Sequence, residues 1–274
     1  MMVGALVYFF VPALVGVLIG IASGLLGIGG GTVMVPIFRL AFGMSATMST
    51  ATSLFAIIPT SISGAISHVK GKTCIPALGI AAGLGGACLS PVGVWLAQLS
   101  PDWLVMLAAA LIIGYSAINM FKKAFKLRPA GQPAAGVDAS APTADDSSLS
   151  RKQLLQGAAI GLVAGLASGY VGVGGGFIMV PLMLSIIGIP MRKASGTSLI
   201  AVMILAIPGV IEQGIIGNIN YLAGIAIVIG AIPGAVIGAR LVTKVPERTL
   251  RLLFGCFLIV AAVMLVLNEV GIFG

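Results

Sequence analysis

Two runs of glycine carry the chemistry that stands out most in this 274-residue chain. Gly29-Gly30-Gly31-Thr32 and Gly174-Gly175-Gly176-Phe177 each open a short apolar segment with a proline inside it, Pro36 and Pro181. A glycine turn that starts a helix leaves several backbone N–H groups unpaired and aimed at one point, with the positive end of the helix dipole behind them. In an apolar medium those donors need partners, and an anion supplies them. The competing reading is that glycine only lets helices approach closely. That reading suffices for isolated glycines such as Gly79, Gly85 and Gly93. A nucleotide-phosphate loop does not fit, because no Gly-Lys-Ser/Thr follows either run.

Hydroxyls are the second donor set. Thr52-Ser53 and Thr197-Ser198 lie several residues inside their apolar segments, where they either contact a substrate or bond to nearby backbone. Arg39 suits an oxyanion through its planar guanidinium fork, or equally reaches outward to an interface. Glu212 and Gln213 are the ion-coupling candidates, against the reading that Glu212 is an interfacial carboxylate. His68, beside Lys70, reads as interfacial. The three cysteines (Cys74, Cys88, Cys256) and one histidine form no metal-ligand spacing. No nucleophile–base pair or carboxylate dyad appears, so no enzyme activity, metal or cofactor is expected.

The elements that must hold these groups follow from composition. Hydrophobic residues make up 59% and charged residues 8%, whereas a soluble domain carries about 25% charge. Fifteen Lys/Arg and seven Asp/Glu cannot solvate a soluble surface of this size; the composition demands a bilayer. The net charge of +8 does not indicate nucleic acid, because the basic residues sit mainly in short loops. The first apolar stretch lacks a basic leader and a small-residue cleavage site, so it is expected in the mature protein.

The chain also repeats itself. Gly24 aligns with Gly169 at an offset of 145, without a gap for about a hundred columns, of which roughly a quarter are identical. Each copy reads as five apolar segments, 3–28, 32–43, 47–69, 74–97 and 103–121, then 153–171, 177–189, 194–213, 219–242 and 249–267. Most reach the ~20 residues that span a bilayer. The second of each copy covers only about 18–20 Å and is expected as the short arm of a hairpin with its glycine tip at mid-depth. The expected organisation is a first transmembrane repeat over 1–121, a cytoplasmic linker over 122–152 and a second repeat over 153–274. The linker middle, Pro129 to Ser150, is too polar to fold.

Lys and Arg stay cytoplasmic, so Lys122, Lys123, Lys126, Arg128, Arg151 and Lys152 place the linker inside. Equivalent loops carry opposite charge: basic 70–72 matches uncharged 215–217, and Thr47-Met48 matches Arg192-Lys193. The expectation is therefore an all-α polytopic membrane protein of two inverted-topology repeats. Each holds a Gly-rich broken helix hairpin plus three spanning helices, with both termini extracytoplasmic. Such repeats are common in secondary transporters, whose sites sit near the midplane beside interrupted helices.

The duplicated G-x-G-G-G-x-x-M-V-P motif, Gly27 to Pro36 and Gly172 to Pro181, with Thr52-Ser53 and Thr197-Ser198, resembles the sulfite exporter TauE/SafE family of membrane permeases. The resemblance covers essentially the whole chain except the linker. It implies movement of a sulfur-containing anion (sulfite, sulfoacetate or a related organosulfonate) across a bacterial-type cytoplasmic membrane. The resulting reading is a secondary transporter working by alternating access, with an anion channel or a membrane-embedded enzyme as the alternatives. Its expected partners are a small anionic substrate and membrane lipid, not nucleic acid, with a homodimer left open.

Overall fold

The computed structural model describes residues 2–126 and 150–269, which are helical apart from short connections. The first copy contains α1 (Met2–Leu26), α2 (Gly31–Phe42), α3 (Ala46–Lys70), α4 (Pro76–Leu99) and α5 (Asp102–Lys126). The second contains α6 (Arg151–Val171), α7 (Gly176–Leu182), α8 (Met191–Ile216), α9 (Tyr221–Leu241) and α10 (Glu247–Glu269). Among the described residues, α3, α4, α5, α6, α8, α9 and α10 are long and apolar enough to cross a membrane, and α1 is apolar over Phe10–Leu26. The helix ends differ from the expected segments by a few residues. Lys122, Lys123 and Lys126 extend α5, and Arg151 and Lys152 start α6. The rest of the linker, 127–149, and residues 270–274 lie outside the described residues.

One short arm departs from expectation. Segment 177–189 is an α-helix only to Leu182 and continues as a π-helical turn over Met183–Ile187. The Pro181 carbonyl accepts the Ser185 hydroxyl at 2.7 Å and the Lys123 ammonium at 3.0 Å. Those donors compete with the backbone ladder just where the register slips. Its counterpart α2 has Leu40 where Ser185 stands, and it stays α-helical to Phe42.

The copies interlock. α1 lies along α9 and α6 along α4; α3 packs on α8 and α5 on α10. The short arm α2 sits against α3 and α10, and α7 against α8 and α5. Shifting numbers by 145 converts each of these contacts into another of the same set. Glycine ladders make the closest of them possible. A Cβ on Gly16, Gly20 or Gly24 would lie 2.1–2.2 Å from carbonyl oxygens of Ile227, Ala231 and Ala235. Gly161, Gly165 and Gly169 meet Ala82, Gly86 and Ser90 at 1.9–2.1 Å in the same way. Among lipid tails there is no hydrophobic gain from helix association, so this backbone-to-backbone dispersion contact is what holds the helices together. Gly85 and Gly93 belong to the same interface, where a Cβ on either would lie 2.3 or 2.2 Å from the Ala158 or Leu166 carbonyl oxygen.

The order of these contacts gives direction. α1 runs parallel to α9, and α6 parallel to α4, since numbers rise together along each pair. α3 and α8 run antiparallel: Gly64, late in α3, meets Leu199, early in α8, while Gly209 meets Leu54.

Candidate functional site

Both glycine turns are buried in the middle of this arrangement. Gly27, Gly29 and Gly30 have φ of 76°, 80° and 87°; Gly172, Gly174 and Gly175 have 72°, 89° and 68°. A Cβ is strained at such angles, so the turns need glycine on conformational grounds alone. The last glycine of each run is needed for another reason. A Cβ on Gly31 would sit 2.5 Å from the Val173 carbonyl oxygen, and one on Gly176 would sit 2.4 Å from that of Gly27. The two turns therefore touch each other. Neither α2 nor α7 receives a side-chain cap at its start.

Ile57 of α3 and Val202 of α8, equivalent at the offset of 145, close over both turns. The Gly29 position faces Val202 at 2.9 Å and Ile57 at 3.3 Å; the Gly174 position faces Ile57 at 2.9 Å and Val202 at 3.5 Å. Thr32 and Phe177, which follow the runs, are fully buried. The conformation is thus closed on the turns. A cavity of about 810 Å³ lies to one side, beside Ile112, Asn119, Lys123, Ala167, Ile178 and Ser185, and includes neither glycine run.

The paired hydroxyls divide by what they bond. Thr52 Oγ1 accepts the Asn220 N–H at 3.0 Å, and Thr197 Oγ1 accepts the Ile75 N–H at 2.9 Å, each at the start of a helix of the other copy. These two threonines tie the copies together, a role their spacing could not reveal. Ser198 donates to the Gly27 carbonyl at 2.7 Å and so braces the first turn. Ser53 is buried and its hydroxyl has no partner among the described residues.

The remaining candidates lie elsewhere. Arg39 occupies the last turn of α2, eight residues and about 12 Å along the axis from Gly31. Glu212 and Gln213 lie near the end of α8; Gln213 is buried and accepts the Asn218 amide at 2.8 Å. His68 is fully buried rather than solvent-facing: Nε2 donates to the Gly24 carbonyl at 2.8 Å, and Nδ1 lies 2.7 Å from Thr73 Oγ1. Burial follows because α1 ends in a glycine turn and leaves carbonyls that need a donor.

Sequence reasoning missed two acidic caps. Asp102 accepts the Ala46 N–H at 3.3 Å and Glu247 accepts the Met191 N–H at 3.3 Å, placing carboxylates at the starts of α3 and α8. Glu247 also pairs with Arg251. The signal was the acid one residue beyond the aligned Pro101 and Pro246. Ser23 and Ser168 were missed as well; they match at the offset of 145, four residues before each turn.

Among known proteins, the chain is 28% identical to a probable membrane transporter protein, YunE, of Bacillus subtilis, over 97% of this chain and 99% of the relative. It is 27% identical to YdhB of the same organism, also named a probable membrane transporter, over 85% and 90%. A probable membrane transporter of Haemophilus influenzae is 29% identical over 93% and 97%. No solved structure matches. All three relatives are named probable membrane transporters, in keeping with the seven long apolar helices among the described residues and a multi-pass membrane fold. Residues 12–265 match the sulfite exporter TauE/SafE family, and the chain belongs to it.

Proposed function

We propose that this transporter moves a small sulfur-containing oxyanion, sulfite or an organosulfonate, by alternating access between two inverted-topology repeats in a bacterial-type cytoplasmic membrane. One observation carries the reading. Two equivalent glycine turns meet in the buried centre, between equivalent helices α3 and α8 that run in opposite directions. Antiparallel equivalents are what inversion requires, and the contrast between loop charges supports it independently. The substrate contacts are taken from Gly29, Gly30, Gly31, Thr32, Thr52, Ser53, Gly174, Gly175, Gly176, Phe177, Thr197 and Ser198. Arg39 remains the candidate charge partner, and Glu212 and Gln213 remain candidates for the coupling ion. The closure of Ile57 and Val202 over both turns favours a carrier, which passes through an occluded state, over a channel, which needs a continuous pore.

Thermal-shift titration of the purified chain against sulfite, sulfoacetate, taurine, sulfate and acetate tests the substrate class. A ligand present at 100 times its Kd stabilises the fold by about 2.7 kcal/mol. A saturable rise in melting temperature with sulfite or sulfoacetate, but not acetate, is the expected result. Equal, unsaturable shifts for all five would remove the claim.

A further inference from the structure

The two turns are alike in backbone but not in what surrounds them. Ser23 of α1 and Ser61 of α3 are fully buried, and neither hydroxyl has a partner among the described residues. Both face the first turn: Ser61 Oγ lies 3.4 Å from the Cβ position of Gly29, and Ser23 Cβ lies 3.6 Å from that of Gly30. Thr32, in the first turn of α2, is buried and unpartnered in the same way. At the offset of 145 the second copy keeps only one of these hydroxyls, with Ser168 for Ser23, Ala206 for Ser61 and Phe177 for Thr32. The helices differ too. α2 is α-helical for 12 residues, whereas α7 is α-helical for seven and then continues as the π-helical turn.

We propose that the oxyanion docks on one side: its charged group is held by the first turn with Ser23, Thr32 and Ser61, while Phe177 and Ala206 of the second copy face its nonpolar end. This rests on the anion-transport reading. An unpaired hydroxyl in an apolar surrounding is unfavourable, and three of them around one helix start are relieved together by a ligand rich in acceptors. Ile57 and Val202 must move aside to admit it. Hydroxyls and amides carry no compensating positive charge, which suits an organic monoanion such as an alkylsulfonate better than a dianion such as sulfate.

The test is affinity of the purified full-length chain for sulfite and ethanesulfonate, by titration calorimetry, with melting temperature measured in parallel. Ser23→Ala and Ser61→Ala are expected to weaken ethanesulfonate binding about 10- to 100-fold, the range for losing a hydrogen bond to a charged group. Because they remove unpaired hydroxyls, they should leave the unliganded melting temperature unchanged or raised. Ser168→Ala is the matched control and should bind within about twofold of the parent. If Ser168→Ala weakens binding as much as Ser23→Ala, the cradle is shared and the proposal is wrong. If the parent binds and both first-copy variants bind as tightly, the proposal is also wrong, while anion transport stands. A parent that binds neither probe overturns this inference, and the transport reading falls with it if sulfoacetate also fails to bind.

Discussion

His68 and Gln213 occupy equivalent positions, and so do their partners Thr73 and Asn218. Two different side chains perform one task, closing the end of their helix onto the loop beyond it. His68→Gln should therefore be tolerated, since an amide also donates to the Gly24 carbonyl, and the melting temperature should change little. His68→Leu leaves that carbonyl and the Thr73 hydroxyl unpaired and is expected to cost about 1–3 kcal/mol, read as a lowered thermal midpoint in detergent. The same logic separates Thr52 from Ser53. Thr52→Val strands the Asn220 N–H and should lower stability by about 1–3 kcal/mol. Ser53→Ala removes a hydroxyl that has no partner, so stability should hold. What could be read from sequence here was the recurrence of Thr-Ser in both copies. What could not was the identity of each partner, because Thr52 and Asn220 are 168 residues apart.

At the scale of helices, glycine has two opposite meanings that local sequence does not separate. A Cβ on Gly20 or Gly165 would lie 2.2 or 2.1 Å from a carbonyl oxygen, so an added methyl must push two helices apart. Gly114, in the interior of α5, has nothing within 4 Å of its Cβ position. Gly20→Ala and Gly165→Ala should each lower the thermal midpoint sharply or prevent folding. Gly114→Ala should raise stability by about 0.5–1 kcal/mol, the gain from helix propensity alone. Helix number, order and approximate ends were legible because hydrophobic length and the repeat agree. The pairing of α1 with α9 and α6 with α4 was not, since a glycine stripe specifies close approach without naming a partner. The π-helical turn was equally hidden: it depends on Lys123 and Ser185 converging on one carbonyl.

For the whole molecule, inversion of the copies and movement of an anion between them are one claim. Inversion requires the linker and the C-terminus to face opposite sides. In a chain without Cys74, Cys88 and Cys256, single cysteines at Ser147 and Gly274 should be labelled by impermeant reagent from opposite faces; labelling from one face contradicts inversion. The repeat is what leads to this expectation, because loops of equal position carry unequal charge. The closure of Ile57 and Val202 over both turns was not legible, since two aliphatic residues within apolar helices give no sign of their position. The most direct measurement is counterflow in proteoliposomes. Vesicles loaded with excess unlabelled sulfite are diluted into trace labelled sulfite, and the experiment is repeated with sulfoacetate. Alternating access predicts transient, saturable accumulation of label above its equilibrium level for at least one of the two. Non-saturable equilibration without overshoot, or no flux of either anion, would contradict the account.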